Sequence, residues 1–147
     1  MEEGIDNIFE EDFSLLIEAG FIATKQLDEI SAIRLFEAAK ALKPDSNSPQ
    51  IGLGYIALNK MEIKEATRIF ESVLEKEPDN IYASILLGIT TLLVKDKRKK
   101  GEKMIKEAME KTTESSIKDL GKIALLWSEK DLAKKDKAPF FAPKEKT

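Results

Sequence analysis

Apolar residues in the first third of the chain follow a helical beat rather than strict alternation. Leu16, Ala19, Gly20 and Ala23 recur at i, i+3, i+4 and i+7, and Ala32, Leu35, Phe36 and Ala39 repeat that spacing after a polar gap. Two amphipathic helices follow, each with a stripe of small residues that lets the other approach. The second must stop before Pro44, because a residue preceding proline avoids helical backbone angles. Ser48-Pro49 restarts the chain, with serine at the cap and proline at the first helical position. Lys60 to Ile63 reads as a turn, after which Ala66, Ile69, Phe70, Val73 and Leu74 carry an inward face up to Pro78-Asp79-Asn80.

Gly20, Gly54 and Gly88 stand 34 residues apart, and Ala32 with Ala66, Phe36 with Phe70 and Pro44 with Pro78 keep the same interval. This pattern resembles the tetratricopeptide repeat. The resemblance implies an all-α fold with three helix pairs at about 13–46, 47–80 and 81–114 and a capping helix at about 115–133. Together these would form one domain, 1–133, a right-handed superhelical array with a concave apolar groove. The third repeat departs from the pattern. Its small residue shifts to Gly101, Ile105 and Ala108 follow one place late, and Thr112 or Thr113 replaces the closing proline. A loop one residue longer, holding the basic cluster, accounts for the shift.

The last helix is expected to carry Ile117, Leu120, Ile123, Ala124 and Trp127 on its apolar side. A terminal repeat would otherwise expose its core face, so Trp127 is read as a cap in preference to a ligand contact. Residues 134–147, with lysines and prolines around Phe140-Phe141, read as a disordered tail or as a docking motif.

Composition narrows the function more than the fold. No cysteine is present, so no disulfide framework can form and a reducing compartment is the easier fit. No apolar run reaches the roughly 18 residues of a membrane span, and Met1-Glu2-Glu3-Gly4 lacks the features of a signal peptide. The expected location is the cytoplasm, without membrane insertion. The net charge of -3 names no partner. Lys95, Lys97, Arg98, Lys99, Lys100 and Lys103 cluster without interleaved aromatics, which fits a solvated loop better than a nucleic-acid patch.

Candidate chemistry is sparse. With no histidine and no cysteine, the usual general base, thiolate nucleophile and zinc ligands are missing, so no catalytic residue, metal site or cofactor is expected. Carboxylates such as Glu71 and Glu75 fall on outward faces. Gly52-Leu53-Gly54-Tyr55-Ile56-Ala57 matches G-x-G-x-x-A, yet a phosphate-binding turn needs a buried strand before it, and Asp45 to Gln50 is polar and proline-broken. The chain reads as a binder rather than an enzyme.

On the repeat pattern, first helices line the concave surface. The inward positions there are Ile17, Phe21, Thr24 and Lys25, then Ile51, Tyr55, Leu58 and Asn59, then Tyr82, Ile85, Ile89, Leu92 and Leu93. The candidate partner-binding groove is therefore Ile17, Phe21, Ile51, Tyr55, Leu58, Tyr82, Ile85, Ile89, Leu92 and Leu93. An apolar face left over in a concavity marks a binding site and suits an amphipathic helix. The alternative is that the chain's own segment Ile5 to Phe9, or self-association, covers it. Lysine, asparagine and arginine, which grip acidic C-termini in related domains, are largely missing from these positions.

Three compact repeats, a closing helix and an apolar groove in 147 residues resemble the small chaperones of bacterial type III secretion. Residues 12–28, Asp12 to Asp28, and Ile51-Gly-Leu-Gly-Tyr-Ile-Ala-Leu58 look most like the chaperones of needle subunits, over roughly residues 8–133. The resemblance implies that the groove holds the polymerising C-terminal helix of a small needle subunit, beside a small co-chaperone in a heterotrimer. A chaperone for the pore-forming translocators, gripping an extended segment, and a generic cytoplasmic adaptor remain open alternatives.

Overall fold

The computed structural model describes residues 2–132, which form seven α-helices and no strand. The order is α1 (Glu2–Lys25), α2 (Glu29–Leu42), α3 (Ser48–Asn59), α4 (Ile63–Lys76), α5 (Ile81–Leu92), α6 (Arg98–Glu110) and α7 (Ser115–Trp127). A 3-10 turn at Lys95–Lys97 precedes α6, and a π-helical turn at Ser128–Leu132 follows α7. The chain divides into two compact units, Met1–Pro78 and Asp79–Thr147, between α4 and α5. Phe140-Phe141 and the tail reading lie outside the described residues.

In the first unit, α1 packs on α2 and α3 on α4, with further contacts from α2 and α1 to α3. The repeat interval has a steric cause. A Cβ built on Gly20 would lie 2.5 Å from the Phe36 ring, and one on Gly54 would lie 2.6 Å from the Phe70 ring. Each glycine is thus the slot into which the phenylalanine of the partner helix fits. Gly52 closes on the other side of Phe36, so that ring is held between α1 and α3. Phe36 and Phe70 are fully buried, together with Ala32, Ala39, Ala66 and Val73.

The turns inside the first two repeats are also copies. Leu27 and Met61 take left-handed backbone angles, φ 63 and φ 59, one residue before α2 and α4 are capped. The amide of Asp28 donates to the Ala23 carbonyl at 2.9 Å, and that of Glu62 to the Ala57 carbonyl at 2.9 Å. These six-to-one bonds close each helix end in the Schellman manner. The Asp28 carboxylate then accepts from the Ser31 amide at 3.1 Å and starts α2. Lys60 joins Glu29 at 2.8 Å and Glu62 at 3.1 Å, tying the second turn to the start of α2. At the start of α3 the N-cap is Asn47 rather than Ser48, and Pro49 falls at the second helical position. Proline is still tolerated there, since first-turn amides have no intrahelical partner. Instead of capping, the Asn47 amide donates to Glu77 at 2.6 Å and fastens the start of α3 to the end of α4.

In the second unit, α5 pairs with α6, and α7 packs on both. The connection between α5 and α6 spans residues 93–97, against 26–28 and 60–62 in the earlier pairs. Only part of the basic cluster lies in it. Arg98, Lys99, Lys100 and Lys103 belong to α6, because the 3-10 turn begins the helix early and the Arg98 guanidinium donates to the Leu92 and Leu132 carbonyls at 3.3 Å each. Displacing the small residue to Gly101 lets α6 meet the backbone of α5: a Cβ there would lie 2.5 Å from the Leu92 amide nitrogen.

The apolar side expected for α7 splits in two. Ile117, Gly121, Ala124 and Ser128 face inward, whereas Leu120, Ile123 and Trp127 are exposed at 39%, 66% and 38%. Small residues won the inward stripe because α7 passes close to α6, where a Cβ on Gly121 would strike Met109.

Candidate partner-binding site

The first unit brings four of its five expected groove residues to the surface. Phe21 of α1 lies 5.5 Å from Tyr55 of α3 between ring centroids, tilted by 59°. Phe21 also meets the buried Phe36 edge to face at 5.1 Å, so Phe36, fixed between its two glycines, positions the accessible pair. Ile17 packs beside Phe21 on the cluster of Ala23, Ala32, Phe36 and Ile56. Ile17, Phe21, Tyr55 and Leu58 are half-buried, rooted in the core with one side outward. Ile51 is buried at 6% and offers no comparable surface.

Polar groups at the neighbouring positions serve their own helices. The Thr24 hydroxyl donates to the Gly20 carbonyl at 2.8 Å and is buried, and the Asn59 amide donates to the Tyr55 carbonyl at 2.8 Å. Neither leaves a buried donor aimed at a guest, so the patch is apolar in action as well as composition. A shallow cleft of about 140 Å³ adjoins it, lined by Thr24, Leu27, Ile56 and Asn59 among others.

In the second unit the expected residues separate. Ile85 and Leu92 are fully buried, Leu92 in a cluster with Ile105, Ala124 and Leu132 against which Ile89 packs. These two are core side chains rather than groove surface. The reason is that α5 is apolar around most of its circumference, so most of its side chains are drawn into the core. Thr90 and Thr91 are buried in it too, their hydroxyls satisfied by the Leu86 and Leu87 carbonyls at 2.7 and 2.8 Å. Ile89 and Leu93 remain half-buried, and Tyr82 is 48% exposed. The Tyr82 hydroxyl donates to Glu114 at 2.7 Å, and that bond to a carboxylate raises the phenol above its ordinary value.

The segment 5–9 continues the axis of α1, which is helical from Glu2 onward, and does not turn back across the Phe21–Tyr55 patch. A second apolar row on α1, absent from the expected groove, holds Leu15 and Ile22, which are 62% and 55% exposed. Their i, i+7 spacing was available as a signal, but lies off the small-residue stripe. Among the described residues no helix is long and apolar enough to cross a membrane. No protein-family model matches the chain, and no curated protein or solved structure matches it significantly.

Proposed function

We propose that this chain is a tetratricopeptide-repeat chaperone of bacterial type III secretion, closest in kind to those that guard needle subunits. It holds the amphipathic C-terminal helix of a needle subunit against its first-helix faces in the cytoplasm and thereby prevents premature polymerisation. A small helical co-chaperone completes a heterotrimer, and no cofactor or catalysis is involved.

The observation that carries this reading is the half-buried pair Phe21 and Tyr55, whose tilted rings meet across neighbouring helices α1 and α3 and are backed by the buried Phe36. Two aromatic rings with Ile17 and Leu58 beside them supply a pre-set apolar surface. An amphipathic helix fits such a surface through side chains at i, i+3 and i+4. Pre-set rings lower the ordering cost that otherwise offsets burial in a complex.

Calorimetric titration of the full chain with a peptide spanning the terminal helix of a needle protein tests this. Tyr55→Asp is expected to weaken binding by about tenfold or more, since burying one large side chain is worth about 1.5–3 kcal/mol. Circular dichroism must show the variant folded. Unchanged affinity in Tyr55→Asp, or no binding by the unaltered chain, overturns the reading. Binding of an extended translocator segment in place of the helix would favour the translocator-chaperone alternative.

A further inference from the structure

Among the described residues, α7 resembles a first helix with no second helix packed after it. Gly52 of α3 closes on Phe36 of the preceding second helix, and Gly121 of α7 closes in the same manner on Met109 and Ile105 of the preceding second helix. Two residues beyond Gly52, Gly54 meets Phe70 of α4, the second helix of its own repeat. Two residues beyond Gly121 stands Ile123, and it is 66% exposed. The face of α7 that in α3 would be covered by α4 is therefore open. It holds Leu120, Ile123, Leu126 and Trp127, with exposures of 39%, 66%, 50% and 38%.

What covers it can be read from its charges. Asp119, Ile123 and Leu126 follow one another at i, i+4 and i+7 on α7, and the exposed Lys130 stands in the π-helical turn that continues it, so the apolar row has an acid before it and a base after it. A second α7 laid antiparallel across this row brings Asp119 to Lys130 twice and Ile123 to Leu126 twice. Leu120 then falls near the partner's Trp127. Residue numbers in the first two pairings sum to 249, so a single two-fold axis satisfies both. Antiparallel alignment also opposes the two helix dipoles. A glycine-slotted mate such as α4 fits less well, because Ile123 stands where its phenylalanine would enter.

We propose that the outer face of α7 is an isologous dimer interface, occupied by the α7 of a second copy of this chain. It belongs to the second unit, whereas the Phe21–Tyr55 patch belongs to the first, and it extends the functional reading beyond capture of a guest. The interface is small and polar-ended, which fits a reversible dimer rather than an obligate one.

Sedimentation of the full chain over a concentration series is the test. The unaltered chain is expected to associate reversibly to a dimer. Ile123→Asp, at an exposed site that leaves the fold intact by circular dichroism, is expected to abolish it. Asp119→Lys alone should weaken association by about tenfold, because the new lysine opposes Lys130, and adding Lys130→Asp should restore it. Trp127, the chain's single tryptophan, should become less water-exposed as the dimer forms. A chain monomeric at every concentration, a dimer indifferent to Ile123→Asp, or a double exchange that fails to restore association overturns the proposal. A monomer whose Trp127 becomes more water-exposed in Phe140→Ser with Phe141→Ser overturns it in favour of the chain's own tail.

Discussion

Replacing Gly20 with alanine adds one methyl group at the point where α1 is closest to α2. In an unconstrained helix that change is favourable by about 1 kcal/mol, because alanine loses less backbone entropy on folding than glycine. Here the new carbon would stand 2.5 Å from a Phe36 ring carbon, nearly 1 Å inside ordinary contact. The ring cannot easily yield, since Gly52 closes its other side and the Phe21 ring meets it at 5.1 Å. Overpacking of this kind costs about 1–3 kcal/mol, so against the propensity gain the clash should leave a net loss of up to about 2 kcal/mol. Thermal unfolding followed by circular dichroism should then show a midpoint lower by up to about 8 °C at this chain length. In a Phe36→Leu background the shorter side chain vacates the slot, and the same alanine should become neutral or stabilising by up to about 1 kcal/mol. A Gly20→Ala chain that melts higher than the unaltered one, or an equal penalty in both backgrounds, would refute the glycine-slot account of the 34-residue interval.

Other expectations follow from the same packing. Leu27→Gly and Met61→Gly should each raise stability by about 0.5–1 kcal/mol in urea denaturation, because left-handed angles strain any residue with a Cβ and both side chains are mostly exposed. Asp28→Ala should destabilise α2 by removing its cap, and the difference should fade in acid. The Asp28 carboxyl is held below its ordinary value of 3.8 by its hydrogen bonds to Ser31, so its contribution is present above that value and lost as pH falls through the lower folded one. Tyr82→Phe should remove a phenolate transition lying above 10.0 from an alkaline absorbance titration. The Tyr82 phenol is raised above 10.0 by Glu114, so that bond's stabilisation is complete below the unfolded value and disappears as pH climbs through the folded one. Phe70→Ala should cost about 3–5 kcal/mol, the usual loss for emptying a fully buried aromatic site.

The helix pairs were legible because Gly20 with Phe36 and Gly54 with Phe70 are local steric partners whose spacing survives as a plain interval in the chain. The turn at Lys60 to Ile63 was legible for the same reason. The fate of α5 was not, since periodicity ranks faces only when some face is polar; Ile85, Leu92 and Ile89 looked alike in sequence and differ only in what encloses them. Helix α7 misled in the opposite direction. Ile117, Leu120, Ile123, Ala124, Leu125, Leu126 and Trp127 crowd its surface, and the inward stripe went to Gly121, Ala124 and Ser128 by closeness of approach to Met109 rather than by hydrophobicity. The basic cluster misled through a boundary: a 3-10 turn is invisible to composition, and it moved Arg98, Lys99 and Lys100 from loop to helix.

Within each unit the dominant packing joins helices that are neighbours along the chain, α1 with α2, α3 with α4 and α5 with α6. Closing such short loops costs little entropy, and folds of this low contact order typically form on the order of microseconds to milliseconds. Each hairpin can therefore assemble as soon as its second helix has left the ribosome. The unit ending at Pro78 can be complete while the remainder is still being synthesised, so the Phe21–Tyr55 surface would be ready for a guest before the chain that carries it is finished.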